Sequence, residues 1–491
     1  MPNSLHTTVD QYRLSRFLIN AVLFLITIVV AVYVLKTGNR LYMIAVVAAP
    51  FAIMLSYRLD LAYVGMLLLG ATAINLPGAA LVPISWLLLL FMVVVFTLNM
   101  LMSRSSTTIG KKVKGAKFLK AFMVVILVLM IVRGAGIRAL GSSTWGGTPY
   151  LVLLSSIAFY CLAVPSIRIK REHVKLVIFG SVLLGVIGAF LRYQGVGEGE
   201  QELLVGQSRA LWLRPLIMGV FPLVFVLLTP RRRLLSGLIF LGCLALIMLT
   251  GFRSRFVMLL AIAVGYGFFK SQGKGGYIGK VLVAGAMLWV AVVLISPSLP
   301  AAMQRAVSFV PGAVIDYKVA EGAANTVDWR IEIWGYAIAD FPEYWLIGRG
   351  VAFDVMNAVQ SLGLEIGYGG PFQAYHTHTY HSGPITLLID FGIPGLLICA
   401  GFMIVVVRMI WKIAYEVANE TSMESRYILF LCVYVMWLIF AFWFVYGDVG
   451  SLSTIIMLSS QIFIFSASLK NDEALKNETA TNVFSSETIL I

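Results

Sequence analysis

The sequence predicts an all-α polytopic membrane protein, with about 12–14 transmembrane helices and one large outer loop that carries amphipathic helices. Three observations point there. Hydrophobic residues make up 60% of the 491 and charged residues only 12%, whereas soluble domains carry about 25% charged residues. Mean hydropathy is +0.91. The apolar residues also fall into runs of roughly 20, the length that crosses a bilayer.

The candidate spans centre near residues 26, 49, 69, 92, 127, 157, 182, 219, 241, 262, 287, 397, 436 and 460. Those near 49, 69 and 262 are short or broken by Pro and Gly, so twelve or thirteen spans also fit the pattern. Residues 1–296 therefore hold about eleven spans, 297–383 form one long connection, and 384–469 hold about three more. Residues 470–491 form a polar tail expected to lack fixed structure. The first span is not followed by a small-residue cleavage site and reads as a retained helix. Cys161, Cys243, Cys399 and Cys432 all lie in apolar runs. They read as buried thiols, with neither disulfides nor a thiolate metal site expected.

Orientation follows from the cations, because short loops rich in Lys and Arg stay in the cytoplasm. The runs RSSTTIGKKVKGAKFLK (104–120), RIKREHVK (168–175), RRR (231–233) and KSQGKGGYIGK (270–280) are each separated from the next by two spans. On that alternation both termini are inside. Of the 37 Lys and Arg, 24 fall inside, 12 outside and Arg214 within a span. The net charge of +14 is thus a topology signal and an attraction to anionic lipid headgroups. It does not call for a nucleic-acid partner.

The same alternation places 297–383 outside as one loop, where every other connection is short. Loops of this length are usually functional or disordered. Within it, Trp329, Ile333, Trp334, Ala337 and Ile338 recur at helical spacing, which predicts an amphipathic helix on the membrane surface or over the bundle.

Charged residues within spans are functional candidates, because burying them in hydrocarbon costs several kcal/mol. Arg214 lies in its span and Asp390 sits about 9 Å of helix below the outer edge of another, while Arg133 closes the outer end of a third. The bilayer midplane, where secondary transporters hold their ions, has no clear charge. Arginines instead gather on the outer face, at 138, 192, 209, 253, 255, 305, 330 and 349. Arg253 and Arg255 stand out, since TGFRSRFVML (250–259) is a tight turn between two apolar runs. Fixed cations where the positive-inside rule disfavours them point to an anionic ligand, and guanidinium groups bind phosphate oxygens bidentately. For any single arginine the competing reading is an anchor that snorkels to lipid phosphates.

Three of the five histidines, His376, His378 and His381, crowd into YHTHTYHSG just before an apolar run. One reading makes them metal ligands, although their spacing does not share a helix face and lacks the usual paired H-x-x-x-H or C-x-x-C. Another makes them polar loop residues at a membrane edge. The third, which carries most weight, makes one of them a base or hydrogen-bonding group, the role imidazole fills best near neutral pH.

These residues also resemble a known family, the O-antigen ligase and polymerase superfamily of bacterial cell-envelope glycosyltransferases. HSGPITLLIDFGIPGLL is similar to its signature of a His, an acidic residue and Gly-x-x-Gly, which aligns His381, Asp390, Gly392 and Gly395. FRSRF resembles its Ser-Arg at the start of a span and selects Arg255. DWRIEIWGYAIADFPEYWLIGRG resembles its loop segment from Arg through Trp to Gly-x-Gly and selects Arg330. Ser382 stands where the family usually has Asn, Asp390 where it has Glu, and Arg349 inside the Gly-x-Gly. The resemblance covers roughly residues 245–400.

The resemblance implies a GT-C-like glycosyltransferase of the bacterial inner membrane with its active site facing the periplasm. It implies a donor glycan on undecaprenyl diphosphate, a glycan or glycolipid acceptor, and inverting transfer without metal or cofactor. His381 would activate the acceptor hydroxyl, and Arg255 and Arg330 would hold diphosphate with Arg253 assisting. Asp390, Arg214 and His378 are candidate supporting residues. Since His381 alone occupies the family position, His376→Ala and His378→Ala are expected to keep much of the activity. The number of spans favours a polymerase for O-antigen or exopolysaccharide over a ligase acting on lipid A-core. From a different class, a lipid-linked oligosaccharide flippase is the main rival; it would not need so long an outer loop, and its arginines should sit deeper.

Overall fold

The computed structural model describes residues 59–72, 113–136, 147–194, 214–250, 252–352 and 370–487, with isolated residues between 89 and 97. The predicted spans near 26 and 49, most of that near 92, the basic run 104–112, and Arg138 and Arg209 lie outside the described residues. Among those described, the chain is helical and has no β-strand.

The helices are α1 (Leu59–Thr72), α2 (Ala116–Val132), α3 (Thr148–Ala163), α4 (Arg171–Gln194), α5 (Arg214–Val226), α6 (Arg233–Leu249), α7 (Arg253–Lys270) and α8 (Gly275–Ile295). The long connection contributes α9 (Ala301–Val307), α10 (Tyr317–Tyr344) and α11 (Pro371–His376), and α12 (Gly383–Ala418), α13 (Met423–Phe444) and α14 (Val449–Glu487) follow. In hydrocarbon every backbone polar group must be satisfied internally, so apolar runs of this length become helices. Among the described residues, four stretches are long and apolar enough to cross a membrane: Gly275–Ser298, Gly383–Ala418, Met423–Phe444 and Val449–Lys470. Thr148–Leu162, Leu216–Val226 and Arg233–Leu249 are shorter apolar helices.

The bundle is built around α12 and α13. The first lies against α2 and α13, and the second also packs on α7 and α14. Phe402, Val406, Ile410 and Ala414 repeat every fourth residue of α12 and are fully buried, a stripe that fixes which face turns inward. The outer surface is apolar too, with Ile131, Leu282 and Leu294 at 83%, 68% and 73% exposure. Water would penalise such a belt; lipid does not.

Contacts between loops define two ends. At one, Lys270 donates to the carbonyls of Ala418 and Glu420 at 2.7 and 2.9 Å. Lys175 lies 3.6 Å from Glu424, and Ser468 donates to Ile169 O at 2.6 Å. The predicted basic loops at 168–175 and 270–280 therefore share an end with the start of α13 and the polar stretch of α14. The other end carries α9, α10 and α11.

The amphipathic helix is present and is longer than its apolar repeat, spanning Tyr317–Tyr344. Asp316 caps it by accepting from Lys318 N at 2.8 Å. Ile333 and Ala337 are buried and Trp329 and Trp334 pack beside them, whereas Ile338 is 66% exposed. A step of one residue turns the helix by about 100°, which carries Ile338 off the narrow arc that faces α11 and α12. The tail also departs from expectation: α14 continues as helix to Glu487. Ala474, Leu475 and Lys476 are strong helix formers.

Candidate active site

At the end that holds the long connection, α12 is broken at Gly392, whose φ and ψ are 68° and −178°. The break frees backbone groups inside an apolar segment, and the turn after α10 takes them up. Arg349 N donates to Ile389 O at 2.7 Å, Gly350 N to Asp390 O at 3.0 Å, and Ile393 N to Trp345 O at 2.8 Å. Irregular backbone at such a depth is tolerated where protein covers it. Gly348 and Gly350 have φ of 82° and 80°, so the Gly-x-Gly of the sequence is a geometric requirement. A Cβ on Gly348 would lie 2.6 Å from Asp390 O. Gly348→Ala is therefore expected to cost about 1–3 kcal/mol or more, read as a lower melting temperature in detergent. Gly335→Ala, where a side chain meets open space, should be neutral or slightly stabilising. Equal melting of the Gly348 variant and the parent would contradict the clamp.

The histidine stretch forms a hairpin between α11 and α12. Thr379 N donates to Ala374 O at 2.8 Å, and Trp334 Nε1 on α10 donates to Tyr380 O at 2.8 Å. His378 and His381 both adopt left-handed backbone, with φ of 60° and 54°, a conformation uncommon without glycine and costly to hold. Each histidine has different company. His376 Nδ1 lies 3.3 Å from Arg349 Nη2, and the Arg349 guanidinium sits 4.5 Å over the Tyr375 ring. Tyr375 in turn donates to the Asp340 carboxylate. His378 is buried with Nδ1 at 2.7 Å from Asp390 Oδ1, and Tyr380 Oη donates to the same oxygen at 3.0 Å. His381 packs between the rings of Trp329 and Tyr446, with centroids at 5.2 and 4.8 Å. Among the described residues, His, Cys, Asp and Glu side chains do not form a group of three able to hold a metal.

Two glycines bring Tyr446 to His381. Gly383 at the start of α12 meets the last turn of α13 and the connection after it so closely that a Cβ would lie 2.2 Å from Phe442 O, and one on Gly447 would lie 2.6 Å from Gly383 Cα. Thr386 Oγ1 pins the approach by donating to Gly447 O at 3.2 Å. Arg330 on α10 reaches the same connection, donating to Val445 O at 3.4 Å. Asp448 accepts from Tyr446 Oη at 3.0 Å and from Ser451 N at 2.6 Å.

The electrostatics of this corner favour neutral imidazole beside fixed cations. Burial lowers the His381 pKa below its ordinary 6.5, Arg330 lowers it further, and Asp448 opposes them. Burial also lowers the Arg330 pKa, against the Tyr446 phenol, but a guanidinium stays charged. Arg253, whose Nη2 donates to Ala323 O at 2.9 Å, feels the repulsive charge of Arg330. Buried Arg330 Nε and His381 Nδ1 have no hydrogen-bond partner in the structure.

Of the residues selected from sequence, Arg253, Arg330 and His381 come together, and His378 pairs with Asp390. Arg255 follows two residues along α7, with its guanidinium 4.2 Å over the Phe252 ring. Arg214 opens α5, and its side chain lies outside the described residues. Sequence reasoning missed Tyr446, Asp448 and Tyr380. Asp448 had left a trace, as the one acidic residue in the short connection YGDVG between two apolar runs.

The fold and this corner define a multi-pass, all-α membrane protein with a polar, arginine-bearing site at one end of its bundle. Residues 238–400 match the family model described as O-antigen ligase, which supports the O-antigen ligase and polymerase superfamily and implies a glycan-transferring enzyme. A search of curated proteins found no match.

Proposed function

We propose that this protein transfers a glycan from undecaprenyl diphosphate to a sugar hydroxyl at the periplasmic face of the inner membrane, in O-antigen or exopolysaccharide polymerisation. The observation that carries the proposal is the convergence of three segments on one corner: Arg253 of α7 donates to Ala323 O on α10 at 2.9 Å, Arg330 of α10 donates to Val445 O at 3.4 Å, and His381 packs on the Tyr446 ring at 4.8 Å. Neither arginine forms an ion pair among the described residues. As the glycosidic bond breaks, negative charge develops on the diphosphate leaving group, and preorganised guanidinium groups stabilise it. Neutral His381 accepts the proton of the attacking hydroxyl. That hydroxyl attacks the anomeric carbon opposite the leaving group, so the configuration inverts, and no metal is required. Arg255, two residues along α7 from Arg253, completes the anionic binding surface.

Sidedness and acceptor are tested separately. Reporter fusions after residues 172, 232, 275 and 415 should report cytoplasm and those near 320 or 360 periplasm; a cytoplasmic result near 340 would remove the mechanism from its donor. Purified protein offered lipid-linked oligosaccharide with either a second lipid-linked oligosaccharide or lipid A-core should lengthen the first. Growth only on lipid A-core would make it a ligase instead.

A further inference from the structure

The buried pair His378–Asp390 has no part in the chemistry above, yet it ties the histidine hairpin to α12 by a contact of 2.7 Å. We infer that His378 and Asp390, bridged by Tyr380, are positioning residues that hold His381 in its reactive place; the inference rests on the reading of His381 as the base. Sequence alone makes His378 auxiliary, whereas the geometry makes it the partner of a fully buried carboxylate.

The argument is one of connectivity. Asp390 belongs to the first half of α12, and its carbonyl accepts from Gly350 N at 3.0 Å, so its backbone is fixed by the clamp at the Gly392 break. Its carboxylate is wholly buried and holds two side chains of the hairpin at once, His378 at 2.7 Å and Tyr380 at 3.0 Å. His381 is the next residue after Tyr380. Its left-handed φ of 54° is a strained state that persists only where the surroundings impose it. The hairpin is therefore tied to the membrane helix by the side chains just ahead of His381, and Trp334 ties the Tyr380 carbonyl to α10 at 2.8 Å. A carboxylate buried this deeply is costly unless paired, so removing either partner leaves the other stranded. Arg330 and Arg253 reach the site from α10 and α7, so losing the bridge should displace the base while leaving the cations in place.

The test measures kcat and donor KM with lipid-linked oligosaccharide from the native host, per folded molecule by size-exclusion and thermal melting. Asp390→Asn and His378→Asn should each lower kcat at least ten-fold with donor KM within two-fold, and Asp390→Glu should restore part of the loss. The double variant should be no worse than the poorer single, as expected for residues acting as a unit. Tyr380→Phe, which keeps the ring and its packing, should lower kcat several-fold and decides the matter if the other variants fail to fold. A purely structural role would lower the melting temperature and leave kcat per folded molecule unchanged, and that result overturns the inference. His381→Ala run in parallel separates the two claims: full activity there removes the base assignment, while its loss beside an unaffected Tyr380→Phe and Asp390→Asn removes only the positioning pair.

Discussion

Replacing His381 with alanine is expected to abolish glycan transfer, a loss of about 10²–10⁴-fold for a general base, while the protein still folds and binds donor. His381 occupies the meeting point of α10, the histidine hairpin and the connection between α13 and α14, with Arg330 and Asp448 as its charged neighbours. A base must be neutral to accept a proton. Since burial and Arg330 lower its pKa below 6.5, against Asp448, activity should persist below pH 6.5 and fall only as pH drops through the lowered value. Arg330→Gln should move that acid limb to higher pH and Asp448→Asn to lower pH. Acid limbs of the residual activity that coincide with the parent's would show that His381 does not set the profile. His376→Ala should be mild, because His376 faces Arg349 and Tyr375 and not this corner.

The second large effect belongs to the arginines. Arg330→Lys and Arg255→Lys should each lose roughly 10²-fold or more, the scale for removing one transition-state charge contact, with expression and melting retained. Lysine keeps the charge and discards the planar fork that grips two phosphate oxygens. An interfacial anchor would tolerate the exchange, so turnover at the parent rate in either variant would reduce that arginine to an anchor. Arg253→Lys is the informative companion. Arg253 donates to Ala323 O on α10 at 2.9 Å, and a loss there exceeding that in Arg255→Lys would put the diphosphate nearer α10 than the Ser-Arg resemblance implies.

The helical membrane class was legible because hydropathy and span length leave backbone in lipid few alternatives. Arg253 and Arg255 stand out in the sequence because cations on the outer face break a strong charge rule, and the histidine cluster because it breaks a strong composition, whereas Arg330 and His381 are singled out only by the family resemblance. What remained hidden depends on contacts between distant segments. Gly348, Gly350 and Gly392 look like flexible residues in the sequence; only in three dimensions do they become one clamp. The bridge between His378 and Asp390 spans twelve residues and a change from hairpin to helix, with no periodicity to announce it. Tyr446 and Asp448 lie beyond the 238–400 segment that matches the family model, and they enter the site through the close approach of Gly383 and Gly447. Ile338 shows the opposite limit: an apolar residue at helical spacing from its neighbours, left on the exposed face because the buried arc of α10 is narrow.

The most direct test of the account is to follow both products at once, using purified protein in nanodiscs and lipid-linked oligosaccharide as donor and acceptor. The account requires one undecaprenyl diphosphate released for each new glycosidic bond, with an inverted anomeric centre, activity retained in chelator, and both products lost in His381→Ala. Donor moved between leaflets of reconstituted vesicles without bond formation, or undiminished product from His381→Ala, would contradict it.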